Sequence, residues 1–110
     1  MLQLEKTIID QSHILSLHGE VDASNSVILD EAIYELVQEG AKIIIIDGKN
    51  LEYISSAGLG VFMSYLEDFQ ENQIHMKICD LTPKVYEVFK ILGLDQLIPI
   101  YQDRAAAFAK

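Results

Sequence analysis

Apolar and polar positions alternate through residues 2–9 and again through residues 13–18, the period of two that half-buried strands require. A short polar turn around Asp10-Gln11 separates the two runs, so they are expected to pair antiparallel. Gly19-Glu20-Val21-Asp22 is expected to break the strand pattern. From about Ser24 to Glu39 the period lengthens. Leu29, Ala32, Ile33, Leu36 and Val37 recur at helical spacing, and Gly40 stands where a helix C-cap belongs. Ile43 to Ile46 are four β-branched residues in a row, predicting a central strand buried on both faces. Asp47-Gly48 is expected to end it, with a loop from Lys49 to Ile54. A second helix is predicted to run to about Asn72, its apolar stripe made by Leu59, Phe62, Leu66 and Phe69 with Met63 alongside. Residues 74–79 alternate as a fourth strand. Thr82-Pro83 is a strong helix start, with threonine as N-cap and proline at the first position. Val85, Val88, Phe89 and Leu92 follow at helical spacing and Gly93 closes the helix. Residues 98–101 predict a short fifth strand, where Pro99 suits an edge or a strand start. A last short helix is predicted from Ala105 to Lys110.

The order is β-β-α-β-α-β-α-β-α. Strands alternating with helices imply an α/β domain with a mixed, mostly parallel central sheet, the first hairpin adding its antiparallel strand. At 110 residues the chain is one ordinary domain, and with half its residues apolar it can form a core without disulfides or a metal. Its single cysteine, Cys79, excludes an internal disulfide. No linker or internal repeat interrupts the pattern. No run approaches the roughly 20 apolar residues a membrane span needs, and the first residues lack the layout of a signal peptide. A cytoplasmic protein fits these features. Eight basic against 17 acidic residues give a net charge of −9. That balance argues against direct nucleic-acid binding and against docking on anionic lipid. It favours a basic protein partner by steering, or serves solubility alone. Glu31, Glu35 and Glu39 recur every four residues, a face that should be solvated or meet positive charge.

The informative segment runs from Ile43 to Gly60: strand, loop, then Ser55 and Ser56 at the mouth of a helix. Loops beyond the carboxyl ends of parallel strands are where such sheets place their sites. The first amides of a helix carry partial positive charge and lack intrahelical partners. The turn from Ala57 to Gly60 has no acidic side chain, while Glu67, Asp68 and Glu71 lie at the other end. The helix start is therefore electrostatically vacant and would tolerate a phosphate on Ser56. Gly58 and Gly60 are expected to keep the surface low, letting another protein approach. Equally, either serine can simply cap the helix.

Enzyme chemistry finds little support. Ile54 to Gly58 lacks the spacing of a nucleophile elbow, and Gly58-Leu59-Gly60 lacks the third glycine of a dinucleotide fingerprint. Gly48-Lys49 is not preceded by the glycine of a P-loop. His13, His18 and His75 are isolated on predicted strands and read as surface or rim residues, and no Cys/His cluster suggests a metal. Cys79 reads as an inert core thiol. No cofactor is implied.

Tyr53-Ile54-Ser55-Ser56-Ala57-Gly58-Leu59-Gly60-Val61 resembles the signature segment of STAS-domain anti-sigma factor antagonists, usually Asp-Ser-Ser/Thr-Gly-Leu-Gly with the first serine as phosphoacceptor. Gly19-Glu20-Val21-Asp22 resembles the family's segment after the second strand. Leu81 to Val85 with Phe89 and Leu92-Gly93-Leu94 resembles its third helix. The resemblance covers nearly the whole chain, as a single STAS-type domain over residues 1–110. It implies phosphorylation at Ser56, with Ser55 the alternative acceptor, and a partner-binding site of Asp22, Ser55, Ser56, Ala57, Gly58 and Gly60. Ser55 and Ala57 depart from the family's Asp and Ser/Thr. The implied partners are an anti-sigma factor that is itself a serine kinase, and a PP2C-type phosphatase. Asp22 would repel a phosphate on Ser56 or merely order its turn. The alternative role is a STAS module in a stress-sensing or transport assembly with no phospho-switch.

Overall fold

The computed structural model describes residues 1–109. Five strands, β1 (Leu2–Ile9), β2 (Ser12–Val21), β3 (Ile43–Ile54), β4 (His75–Cys79) and β5 (Ile100–Tyr101), form one sheet in the order β1-β2-β3-β4-β5. The helices are α1 (Ser26–Gln38), α2 (Ser56–Glu71), α3 (Pro83–Ile91) and α4 (Arg104–Phe108). β1 pairs antiparallel with β2, from Leu2 opposite Gly19 to Ile9 opposite Ser12, and all other pairs are parallel. The α/β order is the one the sequence predicts.

Spatial order follows chain order without reversal. Right-handed crossovers must then all fall on one side of the sheet. So α1, α2 and α3 share a face, where Leu29, Ile33 and Leu36 of α1, Leu59 and Phe62 of α2, and Val85 and Phe89 of α3 pack on Leu15, Leu17, Ile44, Ile46 and Ile78. Alternation sends Ile14, Ile45 and Cys79 to the other face, under Ala107 of α4. Ile44–Ile46 is the doubly buried centre that its β-branched run predicts, with Ile43 half-buried at its start.

Several boundaries move. β3 does not stop at Asp47-Gly48. It continues to Ile54, paired with Ser16–Val21 of β2, and the register shifts at two places where β3 carries extra residues. Those bulges break the period of two, so an exposed stretch containing Lys49, Asn50 and Glu52 reads as a loop although it is strand. Likewise Gly19-Glu20-Val21 stays in β2 rather than ending it. Gly19 has φ of +102°, and a Cβ there would lie 2.0 Å from the Met1 carbonyl oxygen, so only glycine fits. α1 begins at Ser26, not Ser24, because Asp22 to Asn25 forms a hydrogen-bonded turn. A one-turn 3-10 helix over Leu94–Gln96 shortens the last strand to Ile100–Tyr101. The last helix starts at Arg104, on the cap of Asp103, whose side chain accepts from the Ala106 N–H at 2.8 Å. The expected helical position of Lys110 lies outside the described residues. The acidic face of α1 meets intramolecular charge: Lys6 of β1 places Nζ 3.0 Å from Glu35 and 3.8 Å from Glu39.

Five residues cannot hold a helix by propensity. α4 is held by tertiary contacts. Arg104 pairs with Asp47 of β3, and Lys77 Nζ donates to the Ala107 carbonyl at 2.9 Å. Asp47 is only 7% exposed, so removing its partner strands a buried carboxylate. Arg104→Ala is expected to destabilise the fold by about 1–3 kcal/mol in urea titrations. Adding Asp47→Asn should recover part of that loss, and a purely additive double variant would deny the coupling.

Candidate functional site

β2 and β3 run side by side to a common end, and the site is built there. The Ser55 N–H donates to the Val21 carbonyl at 2.8 Å, tying the start of α2 to the last residue of β2. Asp22 follows directly in the chain. The structure therefore brings together two sequence segments that the resemblance named separately, Gly19–Asp22 and Ser55–Gly60.

Ser55 is the N-cap of α2. Its backbone is extended (φ −88°, ψ 172°), its Oγ accepts from the Gly58 N–H at 3.3 Å, and it is half-buried. Serine keeps here the acceptor that an aspartate would supply, but without the charge. Ser56, the first residue of the helix, is exposed, and Ala57 is half-buried. The first turn holds no acidic residue.

The glycines divide their roles. Gly58 is buried, not part of a low surface as the sequence reading expects. A Cβ there would lie 2.6 Å from Val21 Cγ1 and 2.8 Å from Ile54 Cγ1. Its bare backbone lets α2 sit down on the ends of both strands. Gly60 is half-buried with no atom near its absent Cβ, so it is the glycine that lowers the surface.

Asp22 orders the turn into α1. Its Oδ1 accepts from the Ser24 hydroxyl at 2.6 Å and the Ser24 N–H at 2.9 Å, while its own N–H donates to Asn25 Oδ1 at 2.9 Å. The Ser24 hydroxyl chiefly, with the Ser24 and Asn25 backbone amides and against some desolvation, holds its carboxyl below the usual carboxylate range. Because the folded value is the depressed one, the turn gains from the charge above the ordinary carboxylate pKa and loses that gain as pH falls.

Exposed apolar residues stand on the neighbouring parts of the same elements, Tyr53 near the end of β3 and Val27 and Ile28 in the first turn of α1, and Met63, which the sequence reading set alongside the apolar stripe of α2, is exposed rather than packed. Val27 and Ile28 lie off the core stripe of α1, which is Leu29, Ala32, Ile33 and Leu36.

Among the described residues, one grouping has ligand atoms close enough for a metal: Asp47, Cys79 and Asp80, within 4.8 Å. Its groups already have structural neighbours of their own. Asp47 is already committed to Arg104, and burial first, then the Asp47 and Asp80 charges, push the Cys79 thiol up to about 12. The histidines do not gather: His18 bonds Glu5 at 2.8 Å, His13 is half-buried in β2 and His75 is exposed on β4.

The structure thus sets one exposed serine hydroxyl on an acid-free helix start, beyond the carboxyl end of a central parallel strand. The chain belongs to the STAS domain family, whose pattern it matches over residues 3–107. It is 33% identical over 98% of its length to BtrV of Bordetella bronchiseptica, assigned as an anti-sigma factor antagonist, and covers 93% of that protein. An anti-sigma factor antagonist from Mycobacterium paratuberculosis superposes with a TM-score of 0.91 at 21% identity, over 99% of this chain and 92% of that one. The Bacillus cell fate determinant SpoIIAA in its phosphorylated form superposes with a TM-score of 0.71 at 20% identity, over 99% and 98%. No described helix is long and apolar enough to cross a membrane.

The two glycines give opposite expectations. Gly58→Ala should cost about 1–3 kcal/mol by overpacking against Val21 and Ile54. Gly60→Ala should gain about 0.5–1 kcal/mol from helix propensity alone. Thermal melts of both variants check the pair, and equal shifts would contradict the packing assigned to Gly58.

Proposed function

We propose that this chain is a cytoplasmic anti-sigma factor antagonist that works by phosphorylation-gated binding and not by catalysis. Unphosphorylated, it binds an anti-sigma factor that is also an ATP-dependent serine kinase, and so frees a sigma factor. Phosphorylation of Ser56 releases it, and a PP2C-type phosphatase resets it. The relatives' names support the pathway, and SpoIIAA is known in phosphorylated and unphosphorylated forms.

The observation that carries the reading is the contrast between the two serines. Ser55 is half-buried and its Oγ is spent on the Gly58 amide, whereas Ser56 is exposed at the first helical position. A kinase reaching this surface meets the Ser56 hydroxyl.

The magnitude suffices for a switch without refolding. A phosphate adds about −1.5 to −2 charges to one side chain. Buried unpaired in an interface, such a charge costs several kcal/mol. A penalty of about 3 kcal/mol already weakens binding more than a hundredfold. Asp22, one residue beyond the Val21 carbonyl that holds Ser55, adds like charge on the neighbouring turn.

The test is to incubate the protein with a cognate anti-sigma kinase and ATP, and to map added phosphate by mass spectrometry in wild type, Ser55→Ala and Ser56→Ala. Phosphate lost only in Ser56→Ala, with release of the kinase, is the expected result. Phosphate on Ser55 would move the site by one residue. A partner that binds regardless of phosphate state would point to a STAS module in a stress-sensing or transport assembly.

A further inference from the structure

α1 and α2 start at the same end of the sheet and lie on the same face. At that end they are tied through the strands, by the Ser55 N–H to the Val21 carbonyl and by Gly58 against Val21. Further along, a second tie joins the helices directly. The Tyr65 hydroxyl donates to Asp30 Oδ1 and lies 3.1 Å from the Asp30 carbonyl oxygen. Tyr65 comes nine residues after Ser56, but helical side chains lean toward the N-terminus, so its hydroxyl covers a turn nearer the site. Asp30 stands four residues into α1.

Tyr65 is fixed on its other side by Phe69, whose ring centroid lies 5.2 Å away. Burial first, then the Asp30 hydrogen bond and charge, push the Tyr65 phenol well above its ordinary value. The hydroxyl therefore keeps its proton and remains a donor throughout the neutral range. Both partners are half-buried, so losing one leaves the other with water as its only replacement on the open side.

We infer that the Tyr65–Asp30 hydrogen bond sets the spacing between the two halves of the Ser56 site, the Asp22–Asn25 turn and the start of α2, making both residues positioning residues for partner recognition. The recognition half of this inference rests on the function proposed above. The spacing half does not. Without the tie, α1 and α2 remain packed, but their first turns are pinned only at the sheet. A partner that spans both turns then meets an ensemble instead of one arrangement, and its affinity falls by the fraction of time the arrangement is lost.

The test uses the full chain and four variants. Tyr65→Phe keeps the ring and removes only the donor. Asp30→Asn keeps an acceptor oxygen, Asp30→Ala removes the side-chain acceptor, and Ala107→Gly loosens the far face as a stability control. Amide exchange is measured first, on the protein alone. Tyr65→Phe is expected to speed exchange about fivefold at residues 22–28 and 55–60 while leaving the β2–β3 seam unchanged. Asp30→Ala should move the same amides in the same direction, Asp30→Asn should stay within about twofold of wild type, and Ala107→Gly should leave these turns as they are. With the anti-sigma kinase, Tyr65→Phe should raise KM for this protein about fivefold at unchanged kcat. Unchanged exchange in Tyr65→Phe, or an equal KM shift in Ala107→Gly, would overturn the inference. Faster exchange in a chain that no such kinase phosphorylates would retire the phospho-switch and leave the coupling standing.

Discussion

The long parallel pairing of β2 with β3 is the constraint from which the rest of the molecule follows. It runs from Ser12 opposite Ile43 to Val21 opposite Ile54 and absorbs two irregularities on the way. Because both strands end together, the chain leaving β2 toward α1 and the chain leaving β3 into α2 emerge as neighbours. The Ser55 amide on the Val21 carbonyl closes the seam. A seam that ended where the β-branched run ends, at Ile46, would leave Ser55 on a free loop far from Asp22. The irregular half of β3 thus does more for the site than its buried half, although the buried half makes the core.

The same topology explains the asymmetry between the two faces. A sheet wound in one direction places every crossover helix on one side, so the other side needs its own cover. This chain supplies five helical residues, α4, anchored by the Arg104–Asp47 pair and by Lys77. That arrangement accounts for the buried carboxylate on β3, which would otherwise be out of place in a strand of isoleucines. It also accounts for Cys79, shut beneath Ala107 with its proton held. The polar chemistry of the second face is structural, and the exposed hydroxyl at the carboxyl end of β3 belongs to a separate region.

What could be read in the sequence was whatever rests on period and caps. Thr82 before Pro83 is an N-cap in fact, with its Oγ1 accepting from Val85 N–H, and the stripes of α1, α2 and α3 fall on the shared core. The unread parts have physical causes. Bulges in β3 break the alternation, a positive φ lets Gly19 stay in a strand, and Asp22 diverts two residues from α1 into a turn. The first two are local rules overridden by contacts distant in sequence, and the third is a side-chain turn that competes with the helix. The pairing of Tyr65 with Asp30 and of Arg104 with Asp47 is likewise invisible, since neither spacing carries a periodic signal. At the site, the sequence pattern supplied both serines and left their roles open. The geometry separates them, because the cap position is occupied by Ser55 and leaves Ser56 outside.

The chain's net charge bears on how a phosphate at Ser56 could act. The protein already carries −9, and a phosphate takes it to about −11, a change of about a fifth. Fields of this kind are screened beyond about 8 Å at physiological salt, so encounter rates with a basic partner would change little. A switch that worked by net charge would be weak here. The distribution matters more than the sum. α2 carries Glu67, Asp68 and Glu71 toward its C-terminal end, against its dipole, α1 carries Asp30, Glu31 and Glu35 along its length, and neither has an acidic residue in its first turn. The first turns themselves are free of acidic side chains, and Asp22, at the turn into α1, supplies the neighbouring negative charge. A dianion placed at Ser56 alters the local charge by far more than a fifth, within contact distance of whatever covers the serine. The energetic effect is then desolvation at a single contact, and its size depends on how closely the partner fits. On the function proposed for this chain, the spacing of α1 and α2, held at one end by the β2–β3 seam and higher up by Tyr65, would bear on the strength of such a switch as well as on binding.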